Sequence, residues 1–419
     1  MKLDHSRSQM KIFTDIGCLY TLARAAKKSG RKVFQEDLDL IRNAAFVCLK
    51  NKIIWIGEKK KIPKEFSKIE KEISFSGATV LPGFVESHTH LLFGGSRAGE
   101  FDQRNQGVSY QEIAKQGGGI LSTIKATRKI QSLKLQEIGQ WRADEFIRQG
   151  VTTLEAKSGY ALNFAGERKL LKVSSQLKNL RMISTYLGPH ALPPEFKSTE
   201  DYIENLIQND LPKIKSQRLS NRADIFVEKG FFSKEQGLSF LKAAKDIGFD
   251  LCIHADQLSL NGGADIACEL EALSADHLIQ IGEREILKLS KSNVTCTLLP
   301  ASDLYMKCAF PPARKLIDAG ARVALATDFN PGTCPTQDLS LVGVLARIEM
   351  KMSLAEVICA YTVGGAFALG LQDEIGSLEI DKDANFVVMH SELDELFYKI
   401  GSSPVRETWF GAKKVFAFN

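Results

Sequence analysis

The segment from Pro82 to His90 reads Pro-Gly-Phe-Val-Glu-Ser-His-Thr-His, with two histidines two residues apart. Residues i and i+2 of an extended strand point to the same side, so His88 and His90 can aim both imidazoles at one point. Two neutral imidazoles suit Zn²⁺ or Fe²⁺, each about 2.0–2.1 Å away in the zinc case. Such a pair also arises by chance on edge strands, so it needs partners elsewhere in the chain. His254 closes the apolar run Leu251-Cys252-Ile253, and Asp328 follows the run 323–327. As structural residues these would be a hydrogen-bonded core histidine and the start of the Asn330-Pro331-Gly332 turn. Taken together, three nitrogens and a carboxylate make a metal site with room for a water, whose pKa a metal lowers toward neutrality. Asp328 is then ligand and proton shuttle to a leaving nitrogen. His277, in Ser274-Ala275-Asp276-His277, faces the same cavity and is assigned to stabilising a developing oxyanion. Its alternative role is to orient another ligand.

Positioning these residues needs rigid elements. Apolar segments at 79–85, 151–156, 182–187, 223–227, 250–254, 275–278, 294–299 and 323–327 read as buried parallel strands. Helical patterns separate several of them, as at 234–247 (Leu238, Leu241, Ala244 on one side) and 283–289. Eight such strands predict an α/β fold, a (β/α)8 TIM-type barrel, rather than an open doubly wound sheet. No GxGxxG or P-loop follows any of them. Five of the seven histidines (His88, His90, His190, His254, His277) fall at or just after a predicted strand's C-terminal end, where barrel active sites assemble. Short alternating pieces at 45–49, 52–56, 385–389 and 408–418 predict a small β-sandwich-like domain formed by both chain ends. The expected division is 1–78, 79–377 and 378–419.

The composition, 44% hydrophobic and 25% charged over 419 residues, excludes disorder, collagen and coiled coil. A net charge of +5 does not point to nucleic acid. The basic run Lys59-Lys60-Lys61, Lys64, Lys68 and Lys71 is interleaved with Glu58, Glu65, Glu70 and Glu72 and reads as a solvated face. None of the eight cysteines forms a CxxC pair, and Cys252, Cys296 and Cys359 read as small buried hydrophobes. Residues 1–7 lack the apolar core of a signal peptide, and the weakly polar run 357–371 is too short to span a bilayer. A soluble, cytoplasmic protein without membrane partners is expected.

The blocks PGFVESHTHLLFGGSRAGEF (82–101), GGGILSTIKATR (117–128), GVTTLEAKSGYAL (150–162), YLGPHALPPEF (186–196), IHADQLSLNGGADIACELEALSADHL (253–278) and ALATDFNPGTCP (324–335) carry a resemblance. They resemble the amidohydrolase superfamily and, within it, the imidazolonepropionase family. The resemblance implies hydrolysis of 4-imidazolone-5-propanoate to N-formimidoyl-L-glutamate, a step of histidine degradation. It implies one Zn²⁺ or Fe²⁺/Fe³⁺ per chain, held by His88, His90, His254 and Asp328. It also implies substrate contacts from Arg97, Tyr160, His190 and Gln257, product contacts from Tyr160, Asn330, Gly332 and Thr333, and a homodimer. The residue types agree: Arg97 offers a planar charged fork to a propanoate carboxylate, Tyr160 and Thr333 offer hydroxyls, and Gly332 permits close approach. Gln257 cannot act as a general base and is given substrate binding only. Lys157 lies near the mouth, where a carboxylated lysine could in principle bridge two metals as in binuclear relatives; the family pattern implies that it is not carboxylated, and it reads as an ion-paired lysine. A rival guanine deaminase would share the metal site but needs no carboxylate-binding arginine, and a dead scaffold would have lost its ligands.

Overall fold

The computed structural model describes residues 9–66, 69, 71–108, 112, 117–390 and 392–418. The N-terminal segment 1–7, and Lys68 and Glu70 of the charged run, lie outside the described residues. The two chain ends build one mixed sheet. Its order is Lys413–Ala417, Val405–Phe410, Phe386–Met389, Thr79–Pro82, Met10–Tyr20, Leu40–Leu49 and Lys52–Glu58, with Glu72–Ser74 also pairing to Met10–Tyr20. Phe386 pairs with Pro82 and Val388 with Val80 in antiparallel register, which joins the C-terminal part to the N-terminal part. An aromatic cluster of Phe13, Phe46, Phe75, Phe386 and Trp409 fills its core, with Phe13 and Phe46 centroids 4.7 Å apart. Aromatic pairs at this spacing add to the area they bury.

The second sheet is parallel throughout and forms the barrel. Its strands are β1 (Phe84–Glu86), β2 (Val151–Lys157), β3 (Arg181–Tyr186), β4 in two pieces (Arg222–Ala223 and Phe226–Val227), β5 (Asp250–Ala255), β6 (Ser274–His277), β7 (Thr295–Leu298) and β8 (Arg322–Leu325). All residues of β2, β6, β7 and β8 are buried, as a sheet covered on both faces requires. Helices follow the strands, among them Phe164–Ser174, Lys234–Asp246 and Glu283–Lys291. The second starts at a capping box in which Ser233 Oγ accepts from the Gln236 N–H, which stops the helix where the sequence pattern begins.

The expected strand at 79–85 is two strands. Thr79–Pro82 joins the small sheet, and after Gly83 the chain enters β1, where Phe84 pairs with Val151. A Cβ at Gly83 would come within 2.3 Å of Thr152 Oγ1, so only glycine allows the chain to change sheets so close to β2. The barrel closes beyond the ends of β1 and β8. The Asp328 N–H donates to His88 O at 3.1 Å, and the His90 N–H donates to Phe329 O at 2.9 Å. Glu86 spans this closure, accepting from the His88 N–H at 3.3 Å and the Thr327 N–H at 3.1 Å. The segments that close the barrel therefore carry His88, His90 and Asp328.

Candidate metal centre and active site

His88 and His90 follow β1, His254 lies near the end of β5, His277 ends β6, and Asp328 follows β8. All five are buried, none more than 3% exposed. Ligand-capable atoms of His88, His90 and Asp328 lie within 4.8 Å of one another, and so do those of His88, His254 and His277. Asp328 Oδ1 stands 3.5 Å from His88 Nε2 and 3.6 Å from His90 Nε2. The fold thus brings the four expected ligands and His277 into one cluster, with His88 common to both groups. The backbone is aimed at some expense: His277 has φ +78° and Asp328 φ +55°, in the left-handed region that side-chain-bearing residues seldom occupy. Asn330 secures the turn after Asp328, its Nδ2 donating to Asp328 O at 2.7 Å and its Oδ1 accepting from the Gly332 and Thr333 N–H groups.

Above the cluster is a cavity of about 530 Å³. Of the expected contacts, Arg97, Tyr160, His190, Gln257, Asn330 and Thr333 line it, together with His90, His254, His277 and Asp328. Gly332 backs the Arg97 side chain, and a Cβ there would come within 2.0 Å of Arg97 Nη1. Arg97 Nε donates to Glu100 Oε2 at 2.8 Å, which fixes the guanidinium at the cavity wall. The His190 ring stacks on His90 with centroids 5.0 Å apart, and its Nδ1 bonds Gly159 O at 2.9 Å. Tyr160 sits 5.5 Å from His90 and 5.3 Å from His190, centroid to centroid.

Residues 79–416 match the amidohydrolase family. The chain is 55% identical over 407 residues to the imidazolonepropionase of Bdellovibrio bacteriovorus, covering 97% of this chain and 96% of that protein. The chain belongs to the imidazolonepropionase family of the amidohydrolases. It is 43% identical to the imidazolonepropionase of Phocaeicola vulgatus over 82% of this chain and 84% of that protein. Among solved structures it is similar to E. coli guanine deaminase, with TM-score 0.72 at 18% identity, covering 98% of this chain and 99% of that chain. At that identity the likeness shows the shared fold alone.

Amidohydrolases are metal-dependent, and the cluster fits an ion. His88 Nε2 and His254 Nε2 are buried without a hydrogen-bond partner. Orphaned buried polar atoms are destabilising, and imidazole nitrogens beside a carboxylate are divalent-metal ligands by chemistry. Carboxylates stand behind both rings: His88 Nδ1 bonds Asp276 Oδ2 at 2.6 Å, and His254 Nδ1 faces Asp224 Oδ2 at 3.0 Å as a charge contact without hydrogen-bond geometry. Burial and Lys157 both oppose a cationic His88, yet the Asp276 and Asp328 carboxylates outweigh them and raise its pKa to about 9. A proton and a metal therefore compete for its free nitrogen. Burial, with the neighbouring His254 and His88 rings, pushes His277 down to about 3, so this imidazole is neutral near pH 7. Burial likewise lowers His190 to about 4.

Lys157 lies fully buried against Glu155 and Asp224, the ion pair expected for this family member. Sequence reasoning missed Arg104, whose Nη2 donates to Gly332 O at 3.1 Å at the cavity wall, and the apolar lining of Phe226, Phe231 and Met306. It also passed over Asp224 and Asp276. Their signal was available, since each is an acidic residue within a predicted apolar strand.

Proposed function

We propose that this amidohydrolase opens the ring of 4-imidazolone-5-propanoate by hydrolysis, giving N-formimidoyl-L-glutamate. The observation that carries the reading is the 55% identity to an imidazolonepropionase along 97% of the chain. The cavity supports it by joining a histidine–carboxylate cluster to the Arg97 guanidinium. One Zn²⁺ or iron ion per chain, held by His88, His90, His254 and Asp328, would supply a Lewis acid and a water of lowered pKa. Asp328 accepts the proton of the attacking water and returns it to the ring nitrogen as the bond from the carbonyl carbon to that nitrogen breaks. The water oxygen remains in the new carboxylate. His277 is neutral and lines the cavity, so its ring N–H can donate to the carbonyl oxygen as negative charge develops there. Arg97 takes the propanoate carboxylate, Tyr160, His190 and Gln257 contact the ring, and Asn330, Gly332 and Thr333 contact the product. Homodimeric assembly and a cytoplasmic location complete the proposal, in keeping with the absence of any membrane-crossing helix among the described residues.

The direct test follows the ultraviolet absorbance of the imidazolone ring in the presence of purified protein. Loss of absorbance that a chelator stops and added zinc or iron restores is the expected result. No loss from a metal-containing sample would move the reaction to another cyclic amide or amidine. Arg97→Ala is expected to raise KM about 10- to 100-fold, the worth of a hydrogen-bonded charge pair. An unchanged KM would remove the arginine from substrate binding and favour a ring without a carboxylate tail.

A further inference from the structure

Behind the candidate metal centre lies a buried cation that the proposed chemistry does not use. Lys157 ends β2, Asp224 sits between the two pieces of β4, and Asp276 lies in β6 in register with His254. Lys157 Nζ is 2.9 Å from Glu155 Oε1, 2.8 Å from Asp224 Oδ2 and 3.4 Å from Asp276 Oδ2. The Lys157, Glu155, Asp224 and Asp276 side chains are no more than 1% exposed. The two aspartate oxygens that meet the ammonium are the same atoms that meet the histidines: Asp224 Oδ2 stands 3.0 Å from His254 Nδ1, and Asp276 Oδ2 2.6 Å from His88 Nδ1. Glu155 in turn accepts from Thr89, the residue between His88 and His90, at the N–H through Oε2 at 3.4 Å.

We propose that Lys157 is a positioning residue for the metal: one buried ammonium holds the two carboxylates that fix the ring orientation of His88 and His254. This rests on the reading of the histidine cluster as a metal centre. The physical argument is one of charge and geometry. Carboxylates behind metal-binding histidines set which ring nitrogen is free and how the ring is turned. Two of them within one dry barrel repel each other and need a common counter-charge. A buried ion pair is otherwise a poor source of stability, since an apolar side chain of similar volume packs without losing hydration. An ammonium that meets both aspartates at the oxygens facing the rings is accounted for by orientation.

Zinc affinity of the full-length protein, measured by competition with a chromophoric chelator, tests this, with circular dichroism reporting the fold. Lys157→Met is expected to weaken zinc binding about 10- to 100-fold. In an Asp224→Asn/Asp276→Asn background the same change is expected to weaken it by no more than about threefold, because the groups it acts through have lost their charge. Wild-type affinity in folded Lys157→Met, or an equal loss in both backgrounds, would overturn the role. If Lys157→Met does not fold, Asp276→Asn is read instead, since it leaves Lys157 two carboxylates. An affinity loss of about 10- to 100-fold supports the relay, and unchanged affinity overturns it. Affinity rather than turnover is the readout, so inactivity with intact zinc binding counts against the proposed reaction and not against Lys157.

Discussion

Asp328→Asn is expected to lower kcat by about 10³-fold or more, the upper part of the range for a proton-transferring residue. The substitution keeps the side chain's size and one acceptor oxygen but removes the charge and the capacity to take a proton. At this site both losses count. Asp328 Oδ1 sits between His88 Nε2 and His90 Nε2, and the carboxylate is 3% exposed, so no bulk water replaces it as a base. Burial works to raise its pKa, but the His88, His277 and His90 rings overcome this and hold it well below the usual carboxylate range. It is therefore ionised throughout the neutral range, the form a proton acceptor needs. The measurement is kcat from imidazolone absorbance, with metal content determined on the same sample. More than a few per cent of wild-type activity in a metal-loaded Asp328→Asn sample would refute the shuttle role. Metal loss would instead explain inactivity by the ligand role alone.

His277→Ala is expected to lower kcat by about 10²- to 10³-fold with little change in KM, as removal of a single oxyanion donor does. The imidazole is neutral, buried and unpartnered at Nδ1, and its backbone occupies the left-handed region at the end of β6. Steady-state kinetics on a metal-replete variant separate the possibilities. A rise in KM at constant kcat would assign His277 to ground-state binding. An unchanged kcat with weaker metal affinity would assign it to ligand orientation, the alternative open from the sequence.

Much of the barrel was legible in local pattern. Strands buried on both faces leave continuous apolar runs, and β2, β5, β6 and β8 fall within a residue or two of the segments expected for them. The first strand departs from expectation because 79–85 is apolar throughout, and nothing in periodicity marks a change of sheet at Gly83. Only the close approach of Thr152, distant in sequence, imposes it. Asn330 is a similar case. Its residue type suits a ligand contact or a turn, and the fold commits its amide to the turn after Asp328 while leaving it at the cavity wall.

The sequence by itself determined the reagents: an alternating histidine pair, further histidines and an aspartate at strand ends, and an arginine near the mouth. Side-chain direction along a strand follows from its period of two, which is local and readable. Which imidazole nitrogen is left for a metal was decided only by tertiary structure. His88 is oriented by Asp276, 188 residues away, and Lys157 meets Asp224 and Asp276 only when β2, β4 and β6 stand around one barrel. Tertiary neighbours decide the charges as well, since the same histidine type is driven to about 9 at position 88 by facing carboxylates, against burial, and to about 3 at position 277 by desolvation and neighbouring rings. Those effects depend on distance and dielectric, and neither is defined until the chain has folded.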